Sequence, residues 1–140
     1  MCRYSIIVLL IAVFLFGTHN AQPASAVAVG VSADGKHQYG FCYGGGKNPT
    51  EEEAKRRAIG FCMTRGGMNP RIIASTSRYG FGVIMEYQTA GKKVGYTAAV
   101  GAATQQDAIN EAARKAKAAG GKKAVAVRSW HDIPKTVINL

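Results

Sequence analysis

Thr50-Glu51-Glu52-Glu53-Ala54 and Thr104-Gln105-Gln106-Asp107-Ala108 stand 54 positions apart, and the match between them decides the fold. At the same spacing Ala58 meets Ala112, and Gly66-Gly67 meets Gly120-Gly121. Upstream, Gly35-Lys36-His37-Gln38-Tyr39-Gly40-Phe41 lies opposite Gly91-Lys92-Lys93-Val94-Gly95-Tyr96, with one residue fewer in the second copy. A threonine followed three positions later by a carboxylate is a capping box, and a glycine pair is a helix stop. A chance alignment would not hold one spacing from a helix start to a helix end, so the chain is one motif written twice.

Each copy reads as strand, strand, helix, strand. In the first, residues 27–32 are apolar and β-branched, and Asp34-Gly35 is a hairpin signal. Tyr39, Phe41 and Tyr43 then alternate with Gln38, Gly40 and Cys42. Thr50 caps a helix with Glu53 as its box partner, and Glu51 and Glu52 suit the positive helix end. Ala54, Ala58, Phe61 and Cys62 share one helical face, and residues 71–76 form the returning strand. In the second copy Phe81, Val83, Met85 and Tyr87 alternate with Gly82, Ile84, Glu86 and Gln88, and a Thr89-Ala90-Gly91 turn leads to residues 94–100. Thr104 caps the second helix, Ala108, Ala112, Ala116 and Ala119 form its stripe, and residues 124–130 form the last strand.

A strand–helix–strand step favours parallel pairing with a right-handed crossover, while hairpins are antiparallel. The expected fold is α+β: a mixed sheet of about six strands with two helices and pseudo-twofold symmetry.

The segment before the repeats has its own logic. Arg3 precedes 13 apolar residues, Ser5 to Gly17, and Ala24-Ser25-Ala26 is a small-residue site. This is the order of a secretory signal peptide, and the run is too short for a span of about 20 residues. Cleavage is placed after Ala26, with Ala26-Val27-Ala28 and His19-Asn20-Ala21 as competing sites. The organisation is then a leader over 1–26 and one domain over 27–140, with repeats at 27–77 and 80–130 and a tail at 131–140. The protein is expected to be secreted or periplasmic, with no transmembrane anchor after processing. At 140 residues and 47% hydrophobic, the chain is too apolar for a disordered segment, and three cysteines are too few for a disulfide scaffold. The formal charge is +10; losing only Arg3 with the leader leaves +9.

The start Ala26-Val27-Ala28-Val29-Gly30, the glycine turn to Tyr39-Gly40-Phe41, and the alanine-spaced helix from Glu53-Ala54 through Ala58 to Cys62 resemble the domain of unknown function 4189 family of small exported bacterial proteins. The resemblance covers most of the chain after the leader. It implies export and supplies no catalytic residues. It also implies a bond from the helix-end cysteine to one in the next strand, where this chain has Met68-Asn69-Pro70-Arg71-Ile72-Ile73 and no cysteine.

Few residues offer covalent chemistry. A Cys42–Cys62 disulfide would close a loop of about 20 residues and stabilise by roughly 3 kcal/mol. Against it, Cys62 lies about 18 Å along the helix, so that the two thiols can sit at different heights. Both readings stand, a disulfide or two buried thiols. A thiol enzyme would need Cys42 or Cys62 beside His131, with Asp132 as orienting group. His37 lies five residues from Cys42 on one strand, about 17 Å away. The cysteines and histidines lack the spacing of a zinc site, and Gly44-Gly45-Gly46-Lys47 lacks the ending of a phosphate loop. No cofactor or metal is implied.

Charge is the remaining functional signal. The candidate binding residues are Lys55, Arg56 and Arg57 on the first helix, and Arg114, Lys115 and Lys117 on the second. Lys92, Lys93, Lys122 and Lys123 add pairs at turns. Such a surface attracts polyanions, a cell-envelope polymer or nucleic acid, and another protein is the other expected kind of partner. The tyrosines read as core and hairpin aromatics. The expected function is an exported, non-enzymatic binding module; the alternative is a thiol-dependent enzyme or redox protein using Cys42 or Cys62 with His131.

Overall fold

The computed structural model describes residues 24–44 and 49–132. Six strands and two helices follow in the expected order: β1 (Ser25–Val31), β2 (His37–Cys42), α1 (Glu51–Thr64), β3 (Met68–Thr76), β4 (Gly80–Thr89), β5 (Val94–Ala102), α2 (Gln105–Ala118) and β6 (Gly121–Asp132). The class is α+β. The apolar run of the expected leader lies outside the described residues, as do residues 45–48 of the glycine loop and 133–140 of the tail.

The strands form two three-stranded sheets rather than one mixed sheet, in the orders β2-β1-β3 and β5-β4-β6. Every paired neighbour is antiparallel. The physical reason is where each crossover lands. The first strand of each repeat takes the centre, so the helix carries the chain over it to the far edge. β2 and β3 thus run parallel to each other without touching.

The duplication is deeper than the sequence alignment, and it has a different offset in the hairpins. Val29 pairs with Tyr39, and Glu86 with Tyr96. Val27 pairs with Phe41, and Ile84 with Ala98. These equivalents are 57 positions apart, not 56. The last strands keep the helix spacing of 54, since Ala28 pairs with Ile72 and Met85 with Ala126. The irregularity between Val27 and Ala28 recurs between Ile84 and Met85. The three surplus residues of the first copy fall between β2 and α1.

Four layers result. α1 packs on β1, β2 and β3, and α2 on β4, β5 and β6, so each helix covers the outer face of its own sheet. Ala26, Ala28, Ala54, Ala58 and Cys62 fill the α1 side; Val83, Met85, Ala99, Ala108 and Ala112 fill the α2 side. Val27, Ile84 and Ala98 form the centre, ringed by Tyr39, Phe41, Tyr96 and Trp130. The equivalent Tyr39 and Tyr96 meet there, with ring centroids 5.0 Å apart.

The helix starts behave as read. Thr50 Oγ1 accepts from the Glu53 amide at 3.2 Å, and Thr104 Oγ1 from the Asp107 amide at 3.0 Å. The helices stop at Gly66 and Gly120, which take φ of 86° and 84°. Phe61 departs from expectation: it is 54% exposed. The buried stripe runs through Ala54, Ala58 and Cys62 at strict i+4 spacing and drifts round the helix, so that at the level of Cys62 the neighbouring Phe61, about 100° from that cysteine, falls outside it, towards the outer edge of β2. There it lines a small groove with Phe41, Tyr43 and Arg65. Ala119 likewise leaves its stripe, because it is the C-cap of α2.

The domain boundary placed after Ala26 falls inside β1. Ala24, Ser25 and Ala26 are all buried, and Ser25 pairs with Thr76. Ser25 Oγ donates to the Asp132 carboxylate and accepts from Trp130 Nε1 at 3.4 Å. His131 and Asp132, assigned to the tail, close β6 instead.

Candidate functional site

The two hairpin turns are built alike. In the first, the Ser32 amide donates to the Lys36 carbonyl at 2.8 Å and the Gly35 amide to the Ser32 carbonyl at 2.8 Å. In the second, the Thr89 amide donates to the Lys93 carbonyl at 2.9 Å and the Lys92 amide to the Thr89 carbonyl at 3.0 Å. Lys36 is therefore the equivalent of Lys93, and Gly35 of Lys92. The fourth position of each turn must be left-handed: φ is 79° at Gly35 and 60° at Lys92. Glycine accepts that conformation without cost, whereas a lysine does not. The second copy thus holds a long cationic side chain where the turn favours glycine.

These turns face each other across the junction of the two sheets. Between them opens a cleft of about 740 Å3, lined by Lys36, His37, Lys92, Lys93, Glu86 and Tyr96 among others. Lys36 pairs with Asp34 at 3.3 Å in solvent. Asp34 accepts from Ser32 and Lys36, which holds its carboxyl below the ordinary value. Among the described residues, Lys92 and Lys93 form no ion pair with any carboxylate. Tyr96 Oη donates to Glu86 Oε2 at 2.9 Å on the cleft floor. Burial, reinforced by that carboxylate, pushes the Tyr96 phenol up to about 12. The floor is thus a fixed phenol–carboxylate pair and the rim is cationic.

Strand register extends the rim. Gln88 pairs with Val94 on one side and with Lys123 on the other, which puts the β4–β5 turn and the start of β6 at one end of the second sheet. Lys117, Lys122 and Lys123 line a neighbouring groove of about 520 Å3 there, between the end of α2 and the start of β6. Five of the ten candidate residues (Lys92, Lys93, Lys117, Lys122 and Lys123) therefore share one pole.

The other five do not join them. Lys55 pairs with Glu52 at 2.8 Å and with Glu51 at 3.5 Å; Arg57 and Arg56 pair with Glu53. The acidic first turn of α1 thus compensates the three bases that follow it. Lys115 pairs with Glu111 at 3.1 Å and donates to the Ala98 carbonyl at 2.9 Å, a structural role. Arg114 is exposed on α2, apart from the cleft. Sequence reading missed Lys36 and His37; the hairpin signal at Asp34-Gly35 was visible, but the meeting of two turns from separate repeats was not.

The cysteines and His131 are not brought together. Both thiols are unpaired and buried. Cys62 Sγ lies 3.4 Å from the Gln38 carbonyl, and Cys42 Sγ 3.9 Å from that of Tyr43. Gln38 and Cys42 are four residues apart on β2, about 13 Å at strand rise. Burial pushes both thiols up, in Cys42 against the opposing pull of Arg57. His131 pairs across the strand with Phe81 and stacks on its ring at 3.8 Å, on the α2 side of the second sheet. Cys42 and Cys62 face α1, so both sheets stand between the imidazole and either sulfur. Among the described residues, no group of three metal-ligating side chains converges.

Comparison with family models, with curated proteins and with solved structures finds no match to this chain.

Proposed function

We propose that the protein is a non-enzymatic binding module that holds an anionic group of a polymeric partner in the cleft between its twin hairpin turns. The observation that carries this reading is Lys92. A turn position that favours glycine, and has glycine in the first copy, is occupied by a lysine on the rim of a cationic cleft. Residues held in sparsely populated backbone conformations cluster at binding and active sites. Lys93 and Lys36 face the same space, and Lys117, Lys122 and Lys123 extend the field beyond it. Ion pairing at such a rim releases counterions, so affinity falls steeply with salt.

The leader-like start supports a secreted or periplasmic protein, and the small-residue turns and alanine-spaced helix support the domain of unknown function 4189 reading. In that setting the partner is an anionic polymer of the cell envelope. Processing at His19-Asn20-Ala21 is the choice that leaves β1 whole, because cleavage after Ala26 would remove buried Ser25.

Retention on an immobilised polyphosphate column tests the reading. Retention should weaken steeply between low and physiological salt. The double substitution Lys92→Gly, Lys93→Ala should reduce the salt slope by about two, whereas Lys55→Ala should leave it unchanged. Retention that ignores salt would remove the electrostatic basis.

A further inference from the structure

The two repeats differ most usefully at their last strands, which are both sheet edges. At 54-residue spacing, Met68-Asn69-Pro70 of β3 corresponds to Lys122-Lys123-Ala124 of β6. The β3 edge is blunted there. Pro70 has no amide hydrogen to offer, and Asn69 takes a left-handed φ of 48°. β6 carries neither device. It runs 12 residues against nine in β3, and among the described residues it pairs only with β4. Its pairing is regular from Lys123 to Val125, opposite Gln88 to Glu86.

The surroundings of this edge are also open. α2 makes its main contacts with β4 and β5, leaving the groove along the start of β6. Ala113, Ala116 and Ala124 line it with small side chains, and Val125 is 58% exposed. Lys117, Lys122 and Lys123 rim it, and among the described residues none pairs with a carboxylate.

We infer that the β6 edge is a strand-addition site for an acidic, extended segment of a partner protein. Main-chain hydrogen bonds to an unpaired edge give affinity, and side-chain chemistry beside it gives selectivity. Here the selectivity is charge. A second copy in antiparallel register about Val125 would set Lys122 against Arg128, and like charges directly opposite are unfavourable. An acidic strand meets lysines instead. The inference rests on the binding-module reading in taking the protein as a binder; it shares Lys117, Lys122 and Lys123 with the extended field of that reading and none of the residues that line the twin-turn cleft itself.

The test uses the full chain and a fluorescein-labelled ten-residue peptide alternating glutamate with threonine and valine. A counterpart carrying lysine for glutamate is the control. Fluorescence anisotropy should show the acidic peptide binding at least tenfold tighter than the basic one. Hydrogen exchange should slow in the β6 amides and not in β3. Lys122→Glu with Lys123→Glu should reverse the preference. Ala124→Pro, the device of the first copy, should weaken binding at least tenfold; the charge reversal keeps the test decisive if the proline variant unfolds. Lys92→Gly should weaken polyphosphate retention and keep peptide binding, so that failure of either site is read separately. Equal binding of both peptides, or unchanged β6 exchange, overturns the inference. So does β6 protection already complete in the free protein, whether independent of concentration (residues 133–140 covering the edge) or rising with it (a second copy).

Discussion

Ser25 and Asp132, 107 positions apart, are joined by a hydrogen bond inside the protein: the serine hydroxyl donates to the carboxylate where β1 of one sheet and β6 of the other end. Both are almost wholly buried, at 1% and 3% exposure. Trp130 donates to the same hydroxyl, so three residues of the first and last strands close the sandwich at one corner. A buried carboxylate that loses a hydrogen-bond donor costs about 1–3 kcal/mol. Ser25→Ala should lower stability by that amount in urea unfolding, with no change in polyphosphate retention. A chain beginning at Val27 should lose more, because Ala24 and Ala26 leave the α1-side core with it. On the proposed export reading, the intact mass of the processed protein should correspond to a start before Ala24. A mature chain beginning at Val27 with undiminished stability would contradict this account of the corner.

Helix α1 lies so close to β2 that Gly40 has no space for a side chain. A Cβ there would overlap the Ala58 carbonyl and the Cys62 amide, both rigid backbone. Gly40→Ala should therefore force the helix off the sheet and cost about 1–3 kcal/mol. Gly60 lies on the exposed side of the same helix, and a Cβ there meets nothing. Gly60→Ala should stabilise by about 0.5–1 kcal/mol through helix propensity alone. Thermal unfolding of the two variants side by side checks both signs. A harmless Gly40→Ala would mean that α1 and β2 are not in backbone contact.

The elements were legible because their signals are local. Thr50 and Thr104 announce helix starts, Gly66 and Gly120 announce stops, and each acts within four residues. Pairing was less legible because it depends on where a crossover lands. Nothing in the sequence marks β1 and β4 as central strands, so that a single mixed sheet was the natural expectation. The hairpin offset was misread by one residue for a related reason. Gly91 attracts alignment with Gly35 by identity, while the hydrogen bonds set Lys92 in that place. The same long-range geometry hid the cleft: Lys36 and Lys93 meet only through the duplication. It also separated Cys62 from Cys42 and turned His131 to the opposite outer layer.

Alkaline pH should loosen the fold in two stages. Burial pushes the Cys42 and Cys62 thiols above their ordinary value, and Tyr96 is pushed up to about 12 by burial and by Glu86. Each group holds its proton more tightly folded than unfolded. Their stabilising contribution is thus complete below the unfolded thiol value near pH ~8.5 and declines as pH rises towards the folded values. Tyr96 adds a second decline from about pH 10 upwards. Urea midpoints at pH 7, 9 and 10.5 should fall in order, and Tyr96→Phe should flatten the upper step alone. In the native protein at pH 7 both thiols should react slowly with iodoacetamide, since thiolate is scarce and burial bars access. Rapid alkylation of either would revive thiol chemistry.

On the proposed reading, Lys92 sets stability against binding at one position. Its φ of 60° costs a residue with a side chain about 1–2 kcal/mol. Glycine would relieve that strain, but its freer unfolded chain gives back about 0.4–1 kcal/mol. Lys92→Gly should therefore stabilise the protein by roughly 0.5–1 kcal/mol while weakening its hold on polyphosphate. The equivalent change in the first copy runs the other way: Gly35→Lys brings a left-handed lysine to the facing turn, where a Cβ meets nothing within 4 Å. It should lower stability by about 1 kcal/mol and strengthen retention, since the added ammonium faces the same cleft. Opposite movements of stability and retention in the two variants would tie the strain to the binding role. Parallel movements, or retention unchanged in both, would leave the left-handed lysine without a function in the cleft.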